Sequence, residues 1–198
     1  MSQDLLLNPK TLIAGVDEVG RGSLFGPVVA AAVVFPVSAM SQLQAMGVKD
    51  SKQLSAKRRE ILARDIKNLA ISYYIAYASV REIDRLNILN ASLLAMKRAV
   101  IKLLVVPQLC LVDGKQKIPD LIIPQEAIIG GDCKSPMIAA ASILAKVWRD
   151  ELMVRLSPKY PDYDLAKNKG YGTEKHRLAL QRCGPSPQHR LSFRPCRK

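Results

Sequence analysis

The sequence predicts an α/β protein built on one mixed β-sheet with helices packed on both faces. Three observations carry that prediction. Short apolar runs of strand character lead the chain, strand-like and helix-like segments then alternate, and several of the apolar runs stop at an acidic residue. Early strands followed by alternating helices and strands make a mixed sheet covered on both sides.

Leu12 to Val16 reads as a first buried strand ending at Asp17, and Val28 to Phe35 as a second, stopped by Pro36. Between them, Gly22-Ser23-Leu24-Phe25-Gly26-Pro27 has the glycine and proline content of a turn. Ser55 is placed to cap a helix running to about Leu69. Ile71 to Val80, dense in Tyr, Ile and Val, is a third strand. A second helix is expected from about Ile88, because Leu89, Leu93, Met96, Val100 and Leu104 share one face at spacings of 4, 3, 4 and 4. Leu109 to Val112 is a fourth strand ending at Asp113, and Ala127 to Ile129 a fifth running into Gly130-Gly131-Asp132. Ser135-Pro136 reads as an N-cap and first turn of a helix reaching about Leu156. Ala141, Ala145, Trp148, Leu152 and Leu156 line one of its faces, and Ala139-Ala140-Ala141 is small enough to lie close against a sheet. A last helix runs from Thr173 to about Arg182 and ends at Gly184. No linker interrupts the chain, so residues 1–198 are expected to form one domain, with a basic helical C-terminal extension from about residue 157.

Charge narrows the partner. The formal net charge is +13, and it is uneven: residues 133–198 hold 14 basic against 5 acidic residues. From Lys175 onward there is no acid. A polyanion partner is expected, and nucleic acid is the common one. No apolar run reaches the roughly 18 to 20 residues of a membrane helix, and Met1 to Lys10 lacks the order of a signal peptide. A cytoplasmic protein is the expectation. The cysteines Cys110, Cys133, Cys183 and Cys196 lie too far apart for a CxxC pair and read as free thiols.

Most acids sit among Lys and Arg, and Glu60, Asp65, Glu82, Asp84 and Glu151 read as solvated helical residues. Asp150 is expected to pair with Arg149 or Arg155. Asp17, Asp113 and Asp132 differ: each ends or follows an apolar strand, and Glu18 adjoins Asp17. The carboxyl ends of strands are where α/β sheets place their sites. Clustered carboxylates repel and lose hydration, and a divalent cation compensates. All-oxygen ligands select Mg²⁺ or Mn²⁺. Acids that bind such ions inside a basic protein suit phosphodiester hydrolysis with two metals.

Here the residues also resemble a known family. Asp17-Glu18-Val19-Gly20-Arg21-Gly22, Asp50-Ser51-Lys52 and Glu82-Ile83-Asp84-Arg85-Leu86-Asn87-Ile88-Leu89 are similar to blocks of ribonuclease HII, the bacterial type 2 ribonuclease H. Val112-Asp113-Gly114, Gly131-Asp132, Ala140 to Val147 and Lys169-Gly170-Tyr171-Gly172-Thr173 continue the likeness in order, across nearly the whole chain. The resemblance implies a ribonuclease H-like mixed sheet flanked by helices. It implies an endonuclease that hydrolyses the RNA strand of RNA–DNA hybrids and incises 5′ to single ribonucleotides in duplex DNA, leaving 3′-hydroxyl and 5′-phosphate ends. Its metal-binding acids map onto Asp17, Glu18, Asp113 and Asp132, with two Mn²⁺ or Mg²⁺ ions expected. Its reader of the 2′-hydroxyl maps onto Gly20, Arg21, Gly22 and Tyr171. Ser51, Lys52 and Lys146 are expected phosphate contacts, which position a duplex without reading sequence.

Two departures stand out. Asn168 occupies a place where the family often has His, and Leu191 one that is often basic. Only about a dozen residues precede the first strand, so no extra N-terminal domain of the type 3 kind is expected. His176, near a helix start, reads as structural. No sliding-clamp-binding peptide is evident in the tail, and a monomer is the default expectation. A non-catalytic hybrid binder and a structure-specific DNA endonuclease are the alternatives from other classes.

Overall fold

The computed structural model describes residues 8–48, 51 and 54–197. β1 (Leu12–Val19) and β2 (Val28–Pro36) pair antiparallel, and β3 (Ser72–Ala78) adds antiparallel to the far side of β2. On the other side of β1, β4 (Leu109–Asp113) is parallel to it, and β5 (Gln125–Ile128) is parallel to β4. The order across the five-stranded sheet is β3-β2-β1-β4-β5. The helices are α1 (Met40–Ala45), α2 (Ala56–Leu69), α3 (Val80–Ile101), α4 (Gly131–Lys134), α5 (Pro136–Leu156), α6 (Leu165–Asn168) and α7 (Glu174–Cys183).

Every β2 residue from Val28 to Phe35 is buried, as a strand covered on both faces requires. One core joins α2 and α5 to Ile13, Val29, Ala31 and Leu111. The opposite core joins α3 to Ala14, Val16, Ala30 and Val112. The run Ala139-Ala140-Ala141 is wholly buried, as its small side chains led us to expect. Close approach also depends on Gly15: a Cβ there would lie 2.0 Å from the carbonyl oxygen of Met137, so only glycine lets the first turn of α5 rest on β1. A third cluster, with Leu24, Phe25, Met153, Tyr163 and Leu180, seats the C-terminal segment on the turn after β1.

Several boundaries differ from the sequence reading. β1 continues through Asp17 to Val19 because β2 keeps pairing with it, Asp17 opposite Ala31 and Glu18 opposite Ala30. β5 begins two residues early, at Gln125. α3 starts at Val80 rather than near Ile88. Its first turn is set by a capping box, Ser79 with Glu82, rather than by apolar periodicity, and Asn87 (φ 67°) breaks the helix between the two signals. Leu89 and Leu104, at the ends of the expected stripe, are 37% and 91% exposed.

Two acids read as merely solvated therefore hold structure. Glu82 closes the capping box and meets Arg98 at 2.6 Å. Asp84 accepts hydrogen bonds from the backbone N–H groups of Leu191 and Ser192 and from the Ser192 hydroxyl, tying the C-terminal segment to α3. Ser135 stands at the N-cap of α5, but its hydroxyl makes no capping bond and has no partner among the described residues. Cys110, Cys183 and Cys196 are free thiols. Among the described residues no helix is long and apolar enough to cross a membrane.

Candidate active site

Parallel pairing of β1 with β4 sets Val16 beside Val112, so Asp17 and Asp113 follow at the same level on adjacent strands. Their carboxylates and that of Glu18 each offer an oxygen within 4.8 Å of the others. Asp132 follows in the first turn of α4 and is buried on the same cleft. α4 is drawn in because the Gly131 N–H donates to Asp113 Oδ1 at 2.7 Å. A Cβ at Gly131 would sit 2.5 Å from the end of the Ile138 side chain and 3.2 Å from that oxygen, so Ile138 would have to turn aside to admit one.

Asp17 is 4% exposed, and burial above all holds its carboxyl well above the usual range, with Glu18 and then Asp113 adding repulsion. Glu18 is also raised, again chiefly by burial, while Arg21 at 3.5 Å opposes the shift. Such a cluster is an incomplete electrostatic structure. Hard divalent cations suit its all-oxygen donors, and their charge would remove the repulsion that holds these pKa values up. The donor set therefore fits the metal expected from the sequence.

The cleft, about 430 Å³, gathers ten of the expected residues: Asp17, Glu18, Gly20, Arg21, Gly22, Ser51, Asp113, Asp132, Lys146 and Tyr171. Lys52 lies outside the described residues. The Ser51 hydroxyl is 3.0 Å from that of Ser142, which lines the same cleft as Asp17. Lys146 pairs with Asp150 at 2.7 Å, and Arg59 lies 3.9 Å from the same carboxylate. Asp150 thus meets Lys146 and Arg59, not the expected Arg149 or Arg155: four residues along a helix is one turn, whereas an adjacent residue points elsewhere. A second cleft of about 440 Å³ lies between α2 and α5, but its Glu60, Asp150 and Glu151 are interleaved with Arg59, Arg155 and Lys169. It has no converging carboxylates.

The Gly20–Pro27 turn rests on two arginines: Arg190, which sequence reasoning left unassigned, and Arg149, which it offered only as a partner for Asp150. Arg149 and Arg190 are both 0% exposed. Arg149 donates to the carbonyls of Phe25, Pro27 and Lys169, and Arg190 to those of Gly26 and Arg21. Burial presses both guanidinium pKa values down, that of Arg190 to about 9. Gly20 (φ 90°) lies so close that a Cβ would be 2.2 Å from Arg149 Nε. The Tyr171 ring lies 5.5 Å from the Arg149 guanidinium and 5.7 Å from Lys146 Nζ. Asn168, the departure from the family pattern, donates to the Tyr163 carbonyl and accepts from the Gly170 N–H, so it shapes the loop that carries Tyr171. Leu191 is 54% exposed. Ser142, Arg190 and His189 carried no sequence signal of their own, beyond lying in or beside the quoted blocks, and Arg149 was read only as a partner for Asp150.

A mixed sheet with carboxylates converging at the ends of adjacent parallel strands, on a basic chain, has the features expected of a ribonuclease H-like nuclease. The family model described as Ribonuclease HII matches residues 14–196. A ribonuclease HII from Acaryochloris marina (strain MBIC 11017) is 63% identical over 184 residues, 93% of each chain. The chain therefore belongs to the ribonuclease HII family. Among solved structures, ribonuclease H2 from Pyrococcus horikoshii OT3 matches with a TM-score of 0.81 at 29% identity, covering 94% of this chain and 96% of the other. The ribonuclease HII of the PCNA:RNase HII complex from Archaeoglobus fulgidus matches with a TM-score of 0.73 at 29% identity, covering 94% and 97%. As a member of this family the protein is an RNase H endonuclease acting on RNA–DNA substrates, and the family uses divalent metal ions.

Proposed function

We propose that this enzyme hydrolyses the RNA strand of RNA–DNA hybrids and incises 5′ to single ribonucleotides in duplex DNA, leaving 3′-hydroxyl and 5′-phosphate ends. The observation that carries the reading is the convergence of Asp17, Glu18 and Asp113 in one cleft with Gly20, Arg21, Gly22 and Tyr171.

In this reading Asp17, Glu18, Asp113 and Asp132 hold two Mn²⁺ or Mg²⁺ ions. When bound, such ions supply Lewis acidity for water activation and for stabilising the leaving oxygen. The Gly131 N–H fixes one oxygen of Asp113, and the Glu18 N–H fixes one of Asp17, so both carboxylates are oriented in advance. Arg21, 49% exposed at its side chain, offers its charge to a phosphate beside Glu18. The turn from Gly20 to Gly22 brings backbone groups close to a sugar, and the 2′-hydroxyl is the group that separates RNA from DNA. Tyr171 packs against that sugar from the other side of the cleft. Ser51, Lys52 and Lys146 contact phosphates. Lys146 is held in place by Asp150.

A cytoplasmic location, a monomer and a role in ribonucleotide excision repair belong to the same proposal. The Archaeoglobus complex with PCNA keeps a protein partner within it.

The test is incision of three labelled duplexes, one with a single ribonucleotide, one an RNA–DNA hybrid and one all DNA, each with Mg²⁺, Mn²⁺ or EDTA. Metal-dependent incision 5′ to the lone ribonucleotide, with all-DNA duplex untouched, is the expected result. Cutting of the all-DNA duplex would favour a DNA nuclease, and binding without turnover the hybrid binder.

A further inference from the structure

The chain has two histidines, and the fold brings them together. His176 of α7 and His189 of the C-terminal segment are 0% and 1% exposed, with their Nε2 atoms 3.0 Å apart. The bonds at the other ring nitrogens fix where the protons lie. The Ser186 backbone N–H donates to His189 Nδ1 at 2.9 Å. A backbone N–H can only donate, so His189 Nδ1 is unprotonated and its proton is on Nε2. That proton is donated to His176 Nε2, which leaves the proton of His176 on Nδ1. His176 Nδ1 is 2.9 Å from the carbonyl oxygen of Tyr171, to which it donates. The order runs one way, from Ser186 through both imidazoles to Tyr171.

The backbone around the pair closes the same unit. Tyr171 bridges to Ser23, and His189 bridges to Phe25, so both join the segment that follows the Gly-Arg-Gly turn. Leu24 N–H donates to the Gly170 carbonyl, and Gly26 N–H to that of Gln188. Tyr163 packs its ring 4.6 Å from that of His189 and 5.8 Å from that of His176, and Phe25 lies 5.0 Å from His189. Those neighbours, with Ser186, are uncharged at neutral pH. Arg190, next in the chain, directs its guanidinium to the carbonyls of Gly26 and Arg21.

We propose that His176 and His189 are positioning residues: a neutral, proton-ordered pair that sets the Tyr171 backbone, and so its ring, against the ribose. This rests on Tyr171 reading the ribose, as proposed above. An added proton on either ring would set two donors face to face, at Ser186 or between the two Nε2 atoms, and break the chain. Burial favours the neutral rings, pressing His176 down from its ordinary value and His189 to about 4.

Two experiments test it. In ¹⁵N-histidine-labelled protein at neutral pH, long-range ¹⁵N–¹H correlation is expected to show His189 protonated on Nε2 and His176 on Nδ1. The reverse assignment, or averaging tautomers, would overturn the proposal without any variant having to fold. The second compares His189→Leu, which removes the N–H facing His176, with His189→Gln, which can restore one. On the single-ribonucleotide duplex His189→Leu should lower kcat about tenfold or more, with KM changed less, and His189→Gln should recover most of it. Equal losses in both variants, or full activity in His189→Leu, would overturn the pair's role. Tyr171→Ala separates the two levels: if it keeps full incision, ribose reading by Tyr171 itself fails. If it loses incision while His189→Leu does not, only the histidine proposal fails.

Discussion

Val16 of β1 and Val112 of β4 are partners in parallel register, and this one pairing places Asp17 beside Asp113. Neighbouring strands are about 4.8 Å apart, so two carboxylates that leave them at the same level must share whatever charge compensates them. Burial sharpens the conflict. It leaves Asp17 hard to ionise until a cation is present.

The folded pKa of Asp17 lies above its unfolded value, so its favourable contribution is present below the unfolded pKa and is lost as pH rises through the folded one. At neutral pH this carboxyl therefore destabilises the metal-free fold. Asp17→Asn should raise metal-free stability by about 1–2 kcal/mol while abolishing activity, the usual trade at a strained site. Thermal melts with and without Mn²⁺ check this: wild type should gain on metal addition, and the variant should gain much less.

Gly20 and Gly22 flank Arg21, but they are not equivalent. Gly20 has φ of 90° and no room for a Cβ beside Arg149, whereas a Cβ on Gly22 would meet nothing within 4 Å. Arg149 is tethered to three carbonyls and cannot move aside. Gly20→Ala should lower stability by about 1–3 kcal/mol. Gly22→Ala should fold as wild type, so any loss of ribonucleotide incision in it comes from the substrate contact. Urea unfolding beside incision kinetics distinguishes the two.

Glu82 is held down at about 2, chiefly by hydrogen bonds from Arg98. Its folded pKa is below the unfolded value of about 4.3, so its contribution is fully present above that value and is lost as pH falls toward 2. The pair is partly open to solvent, 39% for Arg98 and 21% for Glu82, which screens the charge. After that discount about 1 kcal/mol remains. Acid unfolding of Glu82→Gln should show a shallower loss between pH 5 and pH 2 than wild type does.

How much of this was legible depended on which signal each element used. The five strands and the helix from Pro136 to Leu156 were readable because apolar runs and stop residues mark them locally. Asp17 and Asp113 stood out for the same reason; Asp132, expected at a strand end, stands instead in the first turn of α4, three residues beyond the expected strand. The first turn of α3 was missed because a capping box, Ser79 with Glu82, defines it while the apolar stripe starts later. Arg149, Arg190 and the histidine pair were not legible, since their partners are backbone carbonyls or residues 13 to 169 positions away. Composition carries no trace of such contacts. Asp84 was misread as solvated for a related reason: its partners lie 107 and 108 residues on.

The most direct check on the central claim is Asp113→Asn, which keeps the shape of the side chain and removes its charge. Divalent-ion binding by calorimetry and incision of a single-ribonucleotide duplex would be measured together on the same preparation. Weakened metal binding with incision lowered by about a thousandfold or more, roughly 4 kcal/mol in the barrier, is expected for a carboxylate that holds the ions. Unchanged metal affinity and near wild-type incision would contradict it, and would place the chemistry of this cleft elsewhere than at Asp17, Glu18 and Asp113.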